Sequence, residues 1–485
     1  MKKILIPGLF VLILIFHVRN LSAQSASYTP SVENRIKQVE NNLMSWVQTP
    51  DTLKWSLNER MKTYNIHGLS IAVINNYKVE WAKGYGWADI SENRPVTAQT
   101  LFQAASISKS LNGVGILKLL QDNKLDLNSD INLYLKSWKF PYDSLAKGKK
   151  INIANLLSHT AGLTVHGFPG YVAGADLPSI AQILDGAEPS NTQAVRSMFE
   201  PGIKFQYSGG GITILQLIIT DITGQRYDDF MWQQVLKPMG MKSSSYTQPP
   251  PAVKSNLLAT AYLSDGTEVE GKYHIYPEQA AAGLWTNPVD LGNYVIETQL
   301  SYQGKSDKVL SPEMTKLKLT PCLNGSSALG VFIEDRGNTK YFSHSGGNKG
   351  FRSRYCAGID NGKGVVVMVN SDNGDIIDEI INSVGTVYNW KDFYNPVIRK
   401  MISVPDSILS SYVGKYELYE IPVIISLKNG KAILTYRNTS CTMYFTSDTE
   451  FFITEFRGDN KFLKNSDGKI TGFSIDGNST VIKTE

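Results

Sequence analysis

Ser106 and Lys109 stand three positions apart in Ser106-Ile107-Ser108-Lys109, where a short apolar segment, Leu101-Phe102, gives way to a helical pattern running to about Leu120. A serine hydroxyl is a weak nucleophile at neutral pH and needs a base beside it. Residues three apart on a helix share a face, so the Lys109 amine is expected one turn from the Ser106 hydroxyl. In an apolar site that amine loses proton affinity and becomes able to take the serine proton. Two further S-x-x-K strings lack this setting. Ser144 to Lys147 sits between Pro141-Tyr142-Asp143 and the basic run Lys147-Gly148-Lys149-Lys150, a solvated loop, and Ser466-Asp467-Gly468-Lys469 is a turn.

Two other segments could complete an acyl-transfer site. Tyr207 lies in Pro201-Gly202-Ile203-Lys204-Phe205-Gln206-Tyr207-Ser208-Gly209, just ahead of a glycine run and a helix. A phenol held near the Lys109 ammonium could shuttle a proton between nucleophile and leaving group. The chain has 24 tyrosines, so residue type alone does not single this one out. His344-Ser345-Gly346-Gly347 is the other segment. Its small residues on a strand edge allow close approach of a substrate backbone, where a backbone N–H could bind an oxyanion. His67, His159, His166 and His274 complete the histidines beyond the leader, and no H-E-x-x-H pair is present, which weighs against a zinc hydrolase.

The elements that must position these residues follow from periodicity. Gly68 to Ile74 and Lys78 to Gly86 read as a hairpin around Asn75-Asn76, leading into the Ser106 helix. Helical stretches are expected over Ile151 to Ser158, Ile180 to Gly186, Ile212 to Thr223 and Ile376 to Trp390, with a buried strand over Gly364 to Asn370. Hairpins mixed with helices predict an α+β fold with an antiparallel sheet flanked by helices and a helical subdomain. From about Pro405 the texture becomes short alternating runs: Val423 to Leu427 and Ala432 to Tyr436 flank Asn429-Gly430, and Lys461 to Lys464 and Ile470 to Ile475 flank Asp467-Gly468. The tail, 405–485, is therefore expected to be a small all-β domain, barrel or sandwich, with 391–404 as the linker.

The leader is distinctive. Lys2 and Lys3, the apolar run Ile4 to Phe16 and the small-residue site Leu21-Ser22-Ala23 before Gln24 read as a signal peptide over 1–23, so an exported, periplasmic or secreted protein is expected. Gln24 rather than a cysteine follows the expected cut, so a lipid anchor of the bacterial lipoprotein type is not supported. Removing 1–23 takes away Lys2, Lys3 and Arg19 and no acidic residue, lowering the formal charge from +4 to +1. No Lys/Arg stripe with interleaved aromatics suggests nucleic acid, and no run beyond the leader is long enough to span a membrane. Cys322, Cys356 and Cys441 match no metal spacing, and a Cys322–Cys356 disulfide is left open.

Taken in order, the Ser106, Tyr207 and His344 segments resemble those of the serine β-lactamase and penicillin-binding protein superfamily, especially its class C-like hydrolases and esterases. The resemblance extends through Leu119 to Leu127, Asn155-Leu156-Leu157-Ser158-His159-Thr160-Ala161-Gly162-Leu163, Lys237-Pro238-Met239-Gly240-Met241 and Ala282-Gly283-Leu284-Trp285-Thr286, covering roughly residues 30–390. It implies Ser106 as acylated nucleophile, Lys109 as its base partner and Tyr207 as the proton shuttle of the Y-x-N motif. His344 would take the Lys position of K-T-G, as in the H-x-G branch, and the backbone N–H groups of Ser106 and Gly347 would form the oxyanion hole. Two residues depart from the pattern: Gly209 replaces the motif's Asn, and a neutral His344 recognises a carboxylate less well than Lys. Both weigh against an efficient β-lactamase. Tyr412-Val413-Gly414-Lys415-Tyr416 resembles the opening of the lipocalin-like C-terminal domain attached to many such hydrolases, which either covers the active site or only stabilises the chain.

The expectation is an exported serine hydrolase acting through an acyl-enzyme on an ester, amide or D-amino-acid peptide. It needs no metal or organic cofactor, and its partner is a small-molecule or peptide substrate. The alternatives are a D,D-peptidase, a β-lactamase, or a non-catalytic penicillin-binding or sensor protein.

Overall fold

The computed structural model describes residues 28–485 apart from 51–53, 324, 419–420, 437–438, 456–457 and 476–478. The expected leader, 1–23, lies outside the described residues. Strands β1 (Gly68–Asn75) and β2 (Lys78–Asp89) form the expected hairpin. Asn76 and Tyr77 both take positive φ, 52° and 59°, the twist that a two-residue hairpin turn needs. With β3 (Arg94–Pro95), β4 (Phe332–Arg336), β5 (Thr339–Asn348), β6 (Phe351–Gly358) and β7 (Gly364–Val369) they build a seven-stranded sheet in the order β3-β2-β1-β7-β6-β5-β4. Every pairing in it is antiparallel.

The centre of the sheet, β1 and β7, is buried on both faces, which is why Gly364–Val369 reads as an unbroken apolar run. Val365, Val367 and Val369 face one core with helix α1 (Pro30–Glu40), while Val366 and Met368 face a second, larger one. That larger core surrounds helices α2 (Ser108–Gln121) and α3 (Gly209–Thr223), together with the short α4 (Gln279–Ala282) and α5 (Pro288–Tyr302). Helix α6 (Ile376–Val387) packs beside α1. It ends three residues before the expected Trp390 because Asn389, at φ 49°, takes the left-handed conformation that stops helices. The helix expected over Ile151 to Ser158 spans Ile153–Leu157, capped by the Asn152 side chain on the Asn155 N–H at 2.8 Å.

The glycine run ahead of α3 proves to be its first turn. Ser208 caps the helix, its Oγ accepting from the Gly211 N–H at 3.0 Å. The stretch 391–404, expected as a plain connector, is laced to both units. Val397 and Arg399 donate to the carbonyls of Trp46 and Gln48 at 2.8 Å, and Ile402 donates to Phe445 at 2.8 Å.

After helix α7 (Asp406–Tyr412) the tail is all β, as expected. Strands β8 (Gly414–Leu418), β9 (Ile421–Lys428), β10 (Lys431–Tyr436), β11 (Thr439–Thr442), β12 (Tyr444–Phe445), β13 (Glu450–Phe452), β14 (Asn460–Lys464), β15 (Ile470–Ile475) and β16 (Ser479–Lys483) form one sheet in the order β11-β10-β9-β8-β16-β15-β14-β13-β12. Its two edge strands, β11 and β12, are consecutive in sequence and separated by Met443 alone, so the sheet curls into a nearly closed barrel. Cys322, Cys356 and Cys441 are all free thiols, so the Cys322–Cys356 bridge left open by sequence is not formed.

Candidate active site

Ser106 sits on a single 3-10 turn, Ala105–Ile107, between the short strand Phe102–Gln103 and α2. Ala105, immediately before it, has φ 50°, a left-handed backbone that costs a β-carbon residue about 1–2 kcal/mol. The turn is held from two sides: the Ala104 N–H donates to Leu284 O at 2.8 Å, and Ser353 Oγ on β6 donates to Ala104 O at 3.0 Å. This tight turn leaves the Ser106 side chain half-buried while its flanking residues are buried.

Lys109 lies on the first turn of α2 and is only 2% exposed. Its Nζ donates to Ser106 Oγ at 3.0 Å and to Ala281 O on α4 at 2.7 Å. Both acceptors are neutral oxygens, so the amine is aimed at the hydroxyl by geometry and not by an ion pair. The Tyr207 ring faces the same amine, its centroid 5.1 Å from Lys109 Nζ. The structure therefore brings Tyr207, about a hundred positions away in sequence, to the Ser106–Lys109 pair. The other two strings do not assemble anything of the kind: Ser144 and Lys147 are exposed around a 3-10 turn, and Ser466 and Lys469 are exposed in a hairpin turn.

His159 is the neighbour that sequence reading left without a role. Its ring lies 4.3 Å from that of Tyr207 at 33°, and its Nδ1 accepts from the Ser208 N–H at 3.3 Å. Burial, then the nearby Lys109 charge, holds it well below the ordinary histidine range, so it supports Tyr207 as a neutral ring. Its only sequence signal was its place in Ser158-His159-Thr160-Ala161-Gly162.

His344 is buried on β5, where Nδ1–H donates to Ser345 O at 2.6 Å. Burial, then the Lys109 charge, holds it down at about 3, so it is neutral at any working pH. Two residues on, Gly346 touches the nucleophile turn: a Cβ there would stand 2.1 Å from Ala104 O. Only glycine lets the two backbones meet this closely. Pairing with β4 stops at Phe332↔Ser343, so the β5 edge from His344 to Asn348 extends past its outer neighbour, with Ser345 and Gly347 exposed.

Gly209 also acquires a physical reason. A Cβ there would lie 2.8 Å from Phe168 Cε2 and 3.3 Å from His166 O, so the Phe168 ring takes the space an asparagine side chain would need. Behind the site, Glu278 caps α4 with its carbonyl, which accepts from Ala281 and Ala282. Both carboxyl oxygens are buried without a hydrogen-bond partner, and burial pushes the group up to about 8. Among the described residues, no group of three or more His, Cys, Asp or Glu side chains could hold a metal ion.

The family model described as Beta-lactamase matches residues 56–380, most of the chain. The chain belongs to the Beta-lactamase family. Its sequence is 26% identical over 370 residues to Protein flp of Staphylococcus aureus (strain N315), covering 74% of this chain and 68% of that protein. It is 23% identical over 390 residues to Penicillin-binding protein 4* of Bacillus subtilis (strain 168), covering 76% of this chain and 84% of that one. Among solved structures, the octameric penicillin-binding protein homologue from Pyrococcus abyssi superposes with a TM-score of 0.61 at 20% identity, over 88% of this chain and 98% of its own. The D-amino acid amidase from Ochrobactrum anthropi SV3 does so at 0.56 and 20% identity, over 74% and 99%. At these identities the superpositions speak for the Beta-lactamase fold alone. Ser106, Lys109, Tyr207 and His344 all fall within the family-matched span.

Proposed function

We propose that the protein is an exported serine hydrolase of the class C-like branch, acting through an acyl-enzyme on an ester, amide or D-amino-acid peptide. The observation that carries this reading is the 3.0 Å contact between Lys109 Nζ and Ser106 Oγ beneath the Tyr207 ring. Lys109 takes the hydroxyl proton as Oγ bonds to the substrate carbonyl carbon. The resulting oxyanion is received by the N–H groups of Ser106 and Gly347. Collapse breaks the bond to the leaving group, which receives its proton through Tyr207 and Lys109. Water, deprotonated by the same pair, then attacks the acyl carbon; collapse breaks the bond to Ser106 Oγ, which takes the proton back from that pair as the acid leaves.

Substrate class follows from what borders the nucleophile. A neutral His344 offers no cation to a substrate carboxylate, and Phe168 stands where an amide side chain would hold an acylamide. Both favour esters and simple amides over β-lactams. By the same reading 1–23 is cleaved on export, delivering the protein to the periplasm or medium, and 28–390 is the hydrolase domain. Residues 391–404 link it to a lipocalin-like domain at 405–485.

Parallel assays of a short-chain 4-nitrophenyl ester, a D-alanyl amide or peptide and a chromogenic cephalosporin test the proposal. Turnover of the ester or amide with little turnover of the cephalosporin is expected. Preferred cleavage of a D-alanyl-D-alanine peptide would favour a D,D-peptidase. Acylation without product release would favour a sensor, and no reaction with any of the three would refute the hydrolase reading.

A further inference from the structure

The C-terminal barrel is not filled. A cavity of about 560 Å³ occupies one end of it, walled by Leu418, Val423, Leu434, Phe451, Phe473 and Val481. That volume falls within the roughly 300–1,000 Å³ of small-molecule sites. Packing explains why one end is empty. Tyr412 from α7 stacks on Phe462 at 3.7 Å and on Phe445 at 5.8 Å, plugging the barrel with side chains that do not reach the cavity. Among the described residues, the barrel's share of the lining carries no charged side chain. A largely apolar lumen of this size, with Tyr436 and Asn460 as the polar groups of its barrel wall, favours an aliphatic or aromatic group.

The mouth of the lumen is formed by the other unit, through Ser264, Arg352, Asp372 and Asp375. A second cavity of about 710 Å³ shares Arg352, Gly374 and Asp375 with the first and extends to Ser345, Gly346 and Gly347 on β5. Arg352 is the hinge between them. It is the cross-strand partner of Gly347, so the backbones of the proposed oxyanion residue and of this lumen-lining residue lie one strand spacing, about 4.8 Å, apart. Arg352 Nη1 would stand 3.4 Å from a Cβ at 347. Its charge is already met by Asp372 at 3.0 Å and by the Asn348 and Phe351 carbonyls, so the mouth does not call for a free carboxylate. The groove wall is strongly polar, with Arg354 paired to Glu334 at 2.9 Å and to Asp378 at 2.6 Å.

Outward from the reaction strand, the surface is thus polar over a short distance and then apolar. We propose that the barrel lumen holds the aliphatic tail of an amphiphilic ester or amide substrate. The scissile carbonyl lies at Ser106, and a polar linker of one or two residues' length crosses the groove. This rests on the acyl-enzyme reading above and assigns its substrate class.

The test is kcat/KM for 4-nitrophenyl esters of N-acylglycines, from acetyl to decanoyl, below their micelle concentrations. A parallel arm places the chain on the leaving alcohol of acetylglycine esters. Once the tail reaches the lumen, each methylene should raise kcat/KM about four-fold, equivalent to ~0.8 kcal/mol per buried CH₂, until the cavity is full. The arm that rises identifies the side of the scissile bond carrying the tail. In Leu418→Trp and Ile475→Trp, which fill the lumen from half-buried positions, the decanoyl-to-acetyl ratio should collapse toward one. As a check independent of turnover, N-phenyl-1-naphthylamine should fluoresce with Ser106→Ala protein and be displaced by N-decanoylglycine amide. Flat series in both arms with the acetyl ester still hydrolysed would overturn the lumen proposal and leave the acyl-enzyme standing. Failure to hydrolyse even the acetyl ester would refute the acyl-enzyme reading, and this proposal would fall with it.

Discussion

Glu278→Gln should remove a pH dependence of stability that this one carboxyl imposes. Glu278 is fully buried at the start of α4, one turn from the Ala281 carbonyl that holds Lys109, and neither carboxyl oxygen has a partner. Burial lifts it from the usual 4.5 to about 8, so the folded protein binds a proton there that the unfolded chain releases earlier. The unfolded state therefore holds fewer protons between those values, and stability must fall as pH rises through them. At 1.36 kcal/mol per unit the full effect is about 5 kcal/mol, of which about 2 falls between about pH 6.5 and about pH 8. His159 and His344, both held down, reach their full contribution only above the ordinary histidine value of 6.5, so they add a small rising term at the bottom of the window that is the same in both proteins and cancels in the comparison. Urea midpoints of wild type should therefore fall relative to those of Glu278→Gln as pH rises across the window. Parallel curves for the two proteins would refute the argument, because the carboxyl would then not be held protonated by burial.

Other perturbations are as direct. Gly346→Ala drives a methyl to 2.1 Å from Ala104 O, so β5 must move off the nucleophile turn. We expect about 1–3 kcal/mol of lost stability in urea denaturation and a drop in kcat larger than any change in KM. Arg60→Met strands Glu379, which is 3% exposed and accepts from Arg60 Nε at 2.8 Å. About 3–5 kcal/mol should be lost, and the double variant Arg60→Met, Glu379→Leu should recover most of it in the same assay.

Much of the site was legible because its chemistry is local. Ser106 and Lys109 meet because i,i+3 residues on one turn must, and the Asn75-Asn76 signal gives the β1–β2 hairpin for similarly short-range reasons. The α+β class and the all-β tail followed from periodicity. Other features depend on partners distant in sequence. Phe168 fills the space beside Gly209, and Ala104 makes Gly346 obligatory; neither contact leaves a mark in its neighbour's segment. His159 reaches Tyr207 across 48 positions and reads as an ordinary histidine in a turn. Glu278 looks like one more surface acid until α4 is packed against α3. The 391–404 stretch reads as a linker because its pairing with Trp46 and Gln48 comes from the far end of the chain. The seven-strand order, in which β7 inserts between β1 and β6, cannot be had from patterning alone.

The central claim is that Ser106 is acylated with Lys109 as its base. Incubation with a fluorophosphonate, followed by intact mass and peptide mapping, tests it most directly. One adduct is expected, on Ser106, that disappears in Ser106→Ala, is much slower to form in Lys109→Ala, and is unchanged in Ser144→Ala and Ser466→Ala. An adduct that persists in Ser106→Ala, or ester turnover with no adduct on Ser106, would contradict it.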